Sequence, residues 1–94
     1  MIARISGILL EQKDRELVVD VGGIGYALFV TPCILNIGDK ISLYTHLVIK
    51  DDAHELYGFQ TTEEKDLFKI LISVSGVGPK TALQMLTLYT LPDL

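Results

Sequence analysis

Ten residues carry most of the chemistry: Ser73-Val74-Ser75-Gly76-Val77-Gly78-Pro79-Lys80-Thr81-Ala82. A Gly-hydrophobic-Gly turn lies between two stretches with helical periodicity. Glycines let a backbone approach a ligand closely. The unpaired amides that open the second helix point outward and carry the positive end of its dipole, which suits an anion. Lys80 adds a point charge beside them. This is the spacing of a helix-hairpin-helix, and its chemistry is phosphate binding through Gly76, Val77, Gly78, Lys80 and Thr81. Nothing in the stretch offers a side chain to a base edge, so binding is expected to be indifferent to DNA sequence. The plainer alternative is a helix-turn-helix corner capped by glycine. A P-loop is excluded, because G-x-x-x-x-G-K-[ST] is absent and the turn follows a helical stretch.

Three other places could do chemistry. Asp51, Asp52, His54 and Glu55 make an acidic cluster with one histidine, a donor set that a hard or borderline metal could use, or a solvated turn. Gly22-Gly23-Ile24-Gly25 lacks the third glycine of a dinucleotide site and precedes a strand-like run, so it reads as a hairpin. Cys33 has no sequence neighbour to activate it and is expected to be an inert, at least half-buried thiol. His46 is taken as structural. No catalytic residue, metal site or cofactor follows from these patterns.

The elements that must position these residues change character near Gln60. Before it, β-branched and aromatic residues alternate with polar ones. Ile2, Ile5, Ile8 and Leu10 mark a first strand, with Gly7 as a bend or bulge. Lys13, Asp14 and Arg15 form a turn. Leu17 to Val21 and Tyr26 to Val30 flank the Gly22-Gly23 hairpin. Pro32 ends the third strand, and Asn36, Gly38 and Asp39 form a loop. Ile41 to Ile49 is a fourth strand with Lys50, Asp51 and Asp52 at its tip. Leu56, Tyr57 and Phe59 mark a fifth. Five short strands in so few residues favour a closed barrel of OB type, since closure removes exposed edges; a small open sheet is the alternative.

After Gln60 the period is helical. Thr61 and Glu64 have capping-box spacing. Leu67, Phe68, Leu71 and Ile72 share one face. Gly76 terminates this helix, Pro79 suits the first turn of the next, and Ala82, Leu83 and Leu86 give the second an apolar stripe. Thr90 and Asp93 repeat the cap spacing. A third helix is therefore expected to begin where the sequence stops at Leu94, the pattern of a fragment of a longer protein. The organisation expected is a barrel over residues 1–60 and a first helix-hairpin-helix over 61–94.

Bulk properties bound the function classes. The chain has 94 residues, 49% of them hydrophobic, and a net charge of −4. Residues 1–60 hold five Lys/Arg against eight Asp/Glu, and residues 61–94 three against four. Nucleic-acid binders are usually basic, so composition argues against a DNA role and only local features can overturn it. No apolar run reaches the ~20 residues of a membrane span, and no signal peptide is recognised. A single cysteine forbids an intrachain disulfide and fits a reducing cytoplasm.

Several separated segments together resemble the RuvA family of Holliday-junction-binding subunits. They are Met1-Ile2-Ala3-Arg4-Ile5-Ser6-Gly7, Val21-Gly22-Gly23-Ile24-Gly25-Tyr26, Tyr44-Thr45-His46-Leu47-Val48, Asp51-Asp52-Ala53-His54, Leu56-Tyr57-Gly58-Phe59, and Glu64 through Ala82. The resemblance covers essentially the whole chain and implies a five-stranded OB-fold barrel followed by a helix-hairpin-helix segment. It implies a non-catalytic DNA-binding subunit of the bacterial cytoplasm, acting in recombination and repair of damaged DNA. It implies four-way junction DNA as ligand, self-association into a tetramer, and work with a RuvB-type hexameric ATPase and a RuvC-type resolvase. It implies no membrane. Asp51 and Asp52 align with the family's acidic pin, two carboxylates at the junction centre, which changes the meaning of that cluster. Departures from the family are a short loop between the third and fourth strands, and Ala3 and Ser6 where glycine and a basic residue are common. The family's second helix-hairpin-helix and its partner-binding domain lie outside these residues, so this chain alone is not expected to stimulate the motor. An acidic protein-interaction module and a metal-dependent nuclease built on Asp51, Asp52 and Glu55 are the competing functions.

Overall fold

The computed structural model describes residues 1–90. Five strands form a closed barrel: β1 (Arg4–Lys13), β2 (Glu16–Val21), β3 (Ile24–Val30), β4 (Lys40–Lys50) and β5 (Ala53–Phe59). Their order around the barrel is β1-β2-β3-β5-β4, with β1 and β4 pairing to close it. Two helices follow, α1 (Thr62–Ile72) and α2 (Pro79–Thr90). The closed barrel of OB type and the helical segment thus agree with the sequence, and the open sheet is excluded. The cap spacing of Thr90 and Asp93 lies outside the described residues.

Local chemistry explains the turns. Gly22 and Gly23 have φ of 60° and 92°, the positive angles that a two-residue β2–β3 hairpin requires. The carboxylate of Asp20 accepts the Gly23 amide at 3.0 Å and locks the turn. Between β1 and β2, Asp14 adopts φ 54°, a left-handed conformation that aspartate tolerates better than most residues.

Gly7 differs from its expected role. The register irregularity of β1 falls between Leu9 and Glu11, not at Gly7. Gly7 is needed because a Cβ there would overlap the backbone carbonyl of Asp20. β1 also runs three residues beyond Leu10, and β5 begins at Ala53, before the Leu56 expected to mark it. Pairing with the long β4, from Tyr44 opposite Phe59 to Lys50 opposite Ala53, carries weak β-formers into that strand.

The barrel encloses one core of Ile5, Leu9, Leu17, Val19, Leu28, Val30, Leu43 and Leu56. A second core lies between barrel and helices: Tyr57, Phe59, Phe68, Ala82, Leu83 and Leu86. β5 serves both. Leu56 and Gly58 face inward; a Cβ on Gly58 would sit 3.1–3.2 Å from Leu43, Leu28 and Val30. Tyr57 and Phe59 face outward, with ring centroids 5.0 and 4.9 Å from Phe68 of α1. A strand buried on both faces loses its polar alternation.

α1 starts as its sequence dictates. Thr61 accepts the Glu64 amide at 3.1 Å, and the Glu64 carboxylate accepts the Thr61 amide at 3.2 Å. This completes a capping box and satisfies two orphan donors of the first turn. Phe68 is fully buried, with Leu67, Leu71 and Ile72 partly buried beside it. His46 of β4 packs edge-on against Phe68, ring centroids 5.8 Å apart, so the histidine is structural.

Candidate nucleic-acid interface

The hairpin between α1 and α2 is built from the helix ends. Ser73 caps α1, its amide bonding back to the carbonyls of Ile70 and Leu71. Gly76 then reverses the chain at φ 88°. The amide of Val77 bonds to the Val74 carbonyl at 3.1 Å, tightening the turn. Pro79 opens α2, where a missing N–H costs nothing. Ala82 donates to the Gly78 carbonyl at 2.9 Å. The amides of Lys80 and Thr81 precede that bond and have no acceptor within the helix, at the positive end of the α2 dipole.

The five residues singled out in this stretch do different things. Gly76 supplies the positive φ. Gly78 does not: its φ is not in the left-handed region, and a Cβ there would meet nothing within 4 Å. A side chain at Gly78 would therefore meet no backbone strain and would obstruct only the approach of a ligand. Val77 packs against the second core, so it offers the hairpin an anchor and not a side-chain contact. Thr81 and Lys80 are exposed.

Asp51 and Asp52 form the two-residue turn between β4 and β5, both exposed. Among the described residues neither makes an ion pair. Glu55, three residues beyond, belongs to a different environment. Its carboxylate accepts the Tyr57 hydroxyl at 3.0 Å and pairs with Lys50 at 3.2 Å and Lys80 at 3.3 Å. Burial alone would raise its pKa, but the hydrogen bonds from Tyr57, Lys50 and Lys80 outweigh that and hold it below the usual carboxylate range. Burial, reinforced by the Glu55 charge, pushes the Tyr57 hydroxyl far above its ordinary value. The Lys80 ammonium also lies 4.1 Å from the centre of the Phe29 ring.

The structure thus separates the acidic cluster. Asp51 and Asp52 project from the hairpin tip, while Glu55 ties the base of that hairpin to the first turn of α2. Sequence reasoning missed this tie, because nothing local pairs residues 55 and 80. Two lysines on one carboxylate also oppose its use as a metal ligand. Among the described residues no group of three or more His, Cys, Asp or Glu is arranged to hold a metal ion. Cys33 is half-buried, and burial raises its thiol pKa, which disfavours the reactive thiolate. Arg4 donates to the Ser42 hydroxyl at 3.0 and 3.1 Å, and Ser6 joins it at 3.0 Å. No described helix is long and apolar enough to cross a membrane.

Comparison with known proteins gives one consistent result. Residues 1–58 match the family model described as RuvA N terminal domain. The Holliday junction branch migration complex subunit RuvA of Janthinobacterium sp. (strain Marseille) is 43% identical over all of this chain and 51% of that protein. Its counterpart in Azoarcus sp. (strain BH72) is 45% identical over all of the chain and 49% of that protein. That of Flavobacterium psychrophilum is 47% identical over 93% of the chain and 47% of that protein. The chain spans about half the length of the curated relatives it matches. A five-stranded barrel, a glycine hairpin between two helices and likeness along the whole sequence together place this chain in the RuvA family.

Proposed function

We propose that this chain is the junction-facing part of a non-catalytic, structure-specific DNA-binding subunit that recognises four-way junctions and supports branch migration. The observation that carries the proposal is the α1–α2 hairpin, where Gly76 at φ 88° reverses the chain and the amides of Lys80 and Thr81, in the first turn of α2, have no acceptor within the helix. Residues 1–60 act as a barrel bearing a pin, and residues 61–94 as a first phosphate grip. Gly76, Val77 and Gly78 shape the grip, and Lys80 and Thr81 hold the phosphate. Contacts of this kind fix register on DNA without reading sequence.

Asp51 and Asp52 act by repulsion. Two carboxylates at a protruding tip penalise any phosphate brought near, over a range of ~8–10 Å at ordinary salt. A continuous duplex laid across the tip suffers most, and an open junction, with a hole at its centre, suffers least. Penalising the wrong partner is a route to specificity. In this reading the subunit works as a homotetramer in the bacterial cytoplasm, with a RuvB-type ATPase supplying the motor and a RuvC-type resolvase acting on the same complex.

The test is a paired titration of wild type and Asp51→Asn/Asp52→Asn against junction and duplex at two salt concentrations, within the full-length protein. The double variant should bind duplex more tightly and lose junction preference while keeping its fold. Duplex affinity unchanged at low salt would sink the pin. Absence of any DNA binding by the wild type would favour a protein-interaction module instead. Magnesium-dependent cleavage would revive a nuclease.

A further inference from the structure

A groove of about 480 Å³ separates the β1–β2 turn from the first turns of α2. Lys13 and Arg15 line it from the turn, and Lys80 and Gln84 from the helix, with Phe29 between them. All four of these polar side chains donate hydrogen bonds. Arg15 is half-buried, yet among the described residues no carboxylate lies within 4.0 Å of it or of Lys13. A partly desolvated guanidinium without an anion is costly to hold. Its planar fork matches two oxygens of a phosphate.

From this geometry we infer that the groove is a second phosphate-binding site, taking the backbone of the same DNA arm whose phosphate sits at the α1–α2 hairpin. The inference rests on the DNA-binding reading above. Lys80 belongs to both sites, so a backbone leaving the hairpin amides passes directly onto Arg15 and Lys13. Two acids temper the groove. Asp14 occupies the turn itself, and Glu16 stands opposite Lys13 in the strand register. Glu55, paired with Lys80 at 3.3 Å, is a third, so three cations face three carboxylates and the groove is balanced in a chain of net charge −4. Lys13 and Arg15 add two cations to the path that Lys80 begins, in a protein whose overall charge repels DNA.

The experiment is a fluorescence-anisotropy titration of duplex and junction at about 50 and about 200 mM salt, each lost phosphate contact removing roughly a 3.5-fold salt effect over that range. The full-length protein is compared with Lys13→Gln/Arg15→Gln, Asp14→Asn/Glu16→Gln and Lys80→Gln. The first should bind both DNAs more weakly, with a salt effect smaller by up to about 12-fold for two contacts. The second should bind both more tightly, an outcome that a damaged fold cannot produce. If neither pair of substitutions moves affinity or salt dependence while Lys80→Gln still weakens binding, the groove is not a phosphate site, although the hairpin remains one. If the wild type binds no DNA, both readings fail together. Inorganic triphosphate at matched ionic strength separates the two sources of phosphate. Triphosphate that binds wild type and not Lys13→Gln/Arg15→Gln, yet displaces no duplex, would overturn the assignment to DNA.

Discussion

Glu55→Gln should make this protein less stable and a better DNA binder at once. The amide retains an acceptor for the Tyr57 hydroxyl, now 3.0 Å from the carboxylate, but removes the charge. Exchanging a charge-assisted for a neutral hydrogen bond costs about 1 kcal/mol. Lys50 and Lys80 are 45% and 54% exposed. Solvent screening therefore leaves each pair only a few tenths of a kcal/mol. The sum is about 1.5 kcal/mol, or a fall in Tm of about 6–12 °C for a domain of this size. DNA affinity moves the other way. Lys80 no longer shares its charge with a carboxylate at 3.3 Å, and an incoming phosphate no longer meets Glu55. A charge about 6 Å away contributes roughly 0.7 kcal/mol in water, so affinity should rise about two- to fivefold. Thermal melting by circular dichroism and a duplex titration on the same preparation read both effects. Because its folded pKa is lowered, Glu55 contributes stability above the ordinary carboxylate range. That contribution is lost as pH falls through the lower folded value. The Tm difference between wild type and variant should accordingly close on acidification below about pH 4. Weaker DNA binding by a folded Gln variant would refute the competition and make Glu55 the residue that positions Lys80.

Three further outcomes follow from the geometry. Gly76→Val places a β-branched side chain at φ 88° and should cost at least about 1–2 kcal/mol with loss of DNA binding, whereas Gly78→Ala, with open space around it, should leave Tm nearly unchanged; equal melting of the two would contradict the assignment. His46 has its pKa lowered by burial first and then by Lys69 and Lys65. The unfolded chain therefore binds the proton more readily, and stability should fall as pH drops below about 6.5. His46→Gln should flatten that part of a Tm-against-pH curve, and an unchanged slope would refute it. Phe68→Ala empties the centre of the second core and should cost about 3–5 kcal/mol. Hydrogen exchange should show α1 and α2 losing protection while β1 and β2 keep theirs, and uniform loss would mean that the two cores are one cooperative unit.

The parts of this molecule visible in its sequence are those governed by local rules. Gly22-Gly23 announces a hairpin because few other residues take two positive φ angles. Thr61 and Glu64 announce a helix start because their bonds span three residues. Gly76 and Pro79 bracket the α1–α2 turn for equally local reasons. The parts that stayed hidden depend on tertiary pairing. Gly7 looked like a bend, but it exists to let the Asp20 carbonyl in from the neighbouring strand. Ala53, His54 and Glu55 are poor β-formers held in a strand by β4. Glu55 looked like one more member of an acidic cluster until strand alternation turned it away from the tip toward Lys80. Arg15 and Lys13 read as an ordinary polar turn, since only the docking of α2 makes them one wall of a groove.

The two-sided strand β5 has a mechanical consequence. In the DNA-binding role proposed for the hairpin, a load on the DNA passes through α1 and enters the barrel at Tyr57 and Phe59. On one side β5 is sewn to β4 from Tyr44–Phe59 to Lys50–Ala53. On the other it is joined to β3 only where Phe29 faces Tyr57 and Val30 faces Gly58. Under tension the barrel is therefore anisotropic. The β3–β5 seam, with the fewer pairs, is expected to part first, leaving the β4–β5 hairpin with Asp51 and Asp52 at its end attached to the helices.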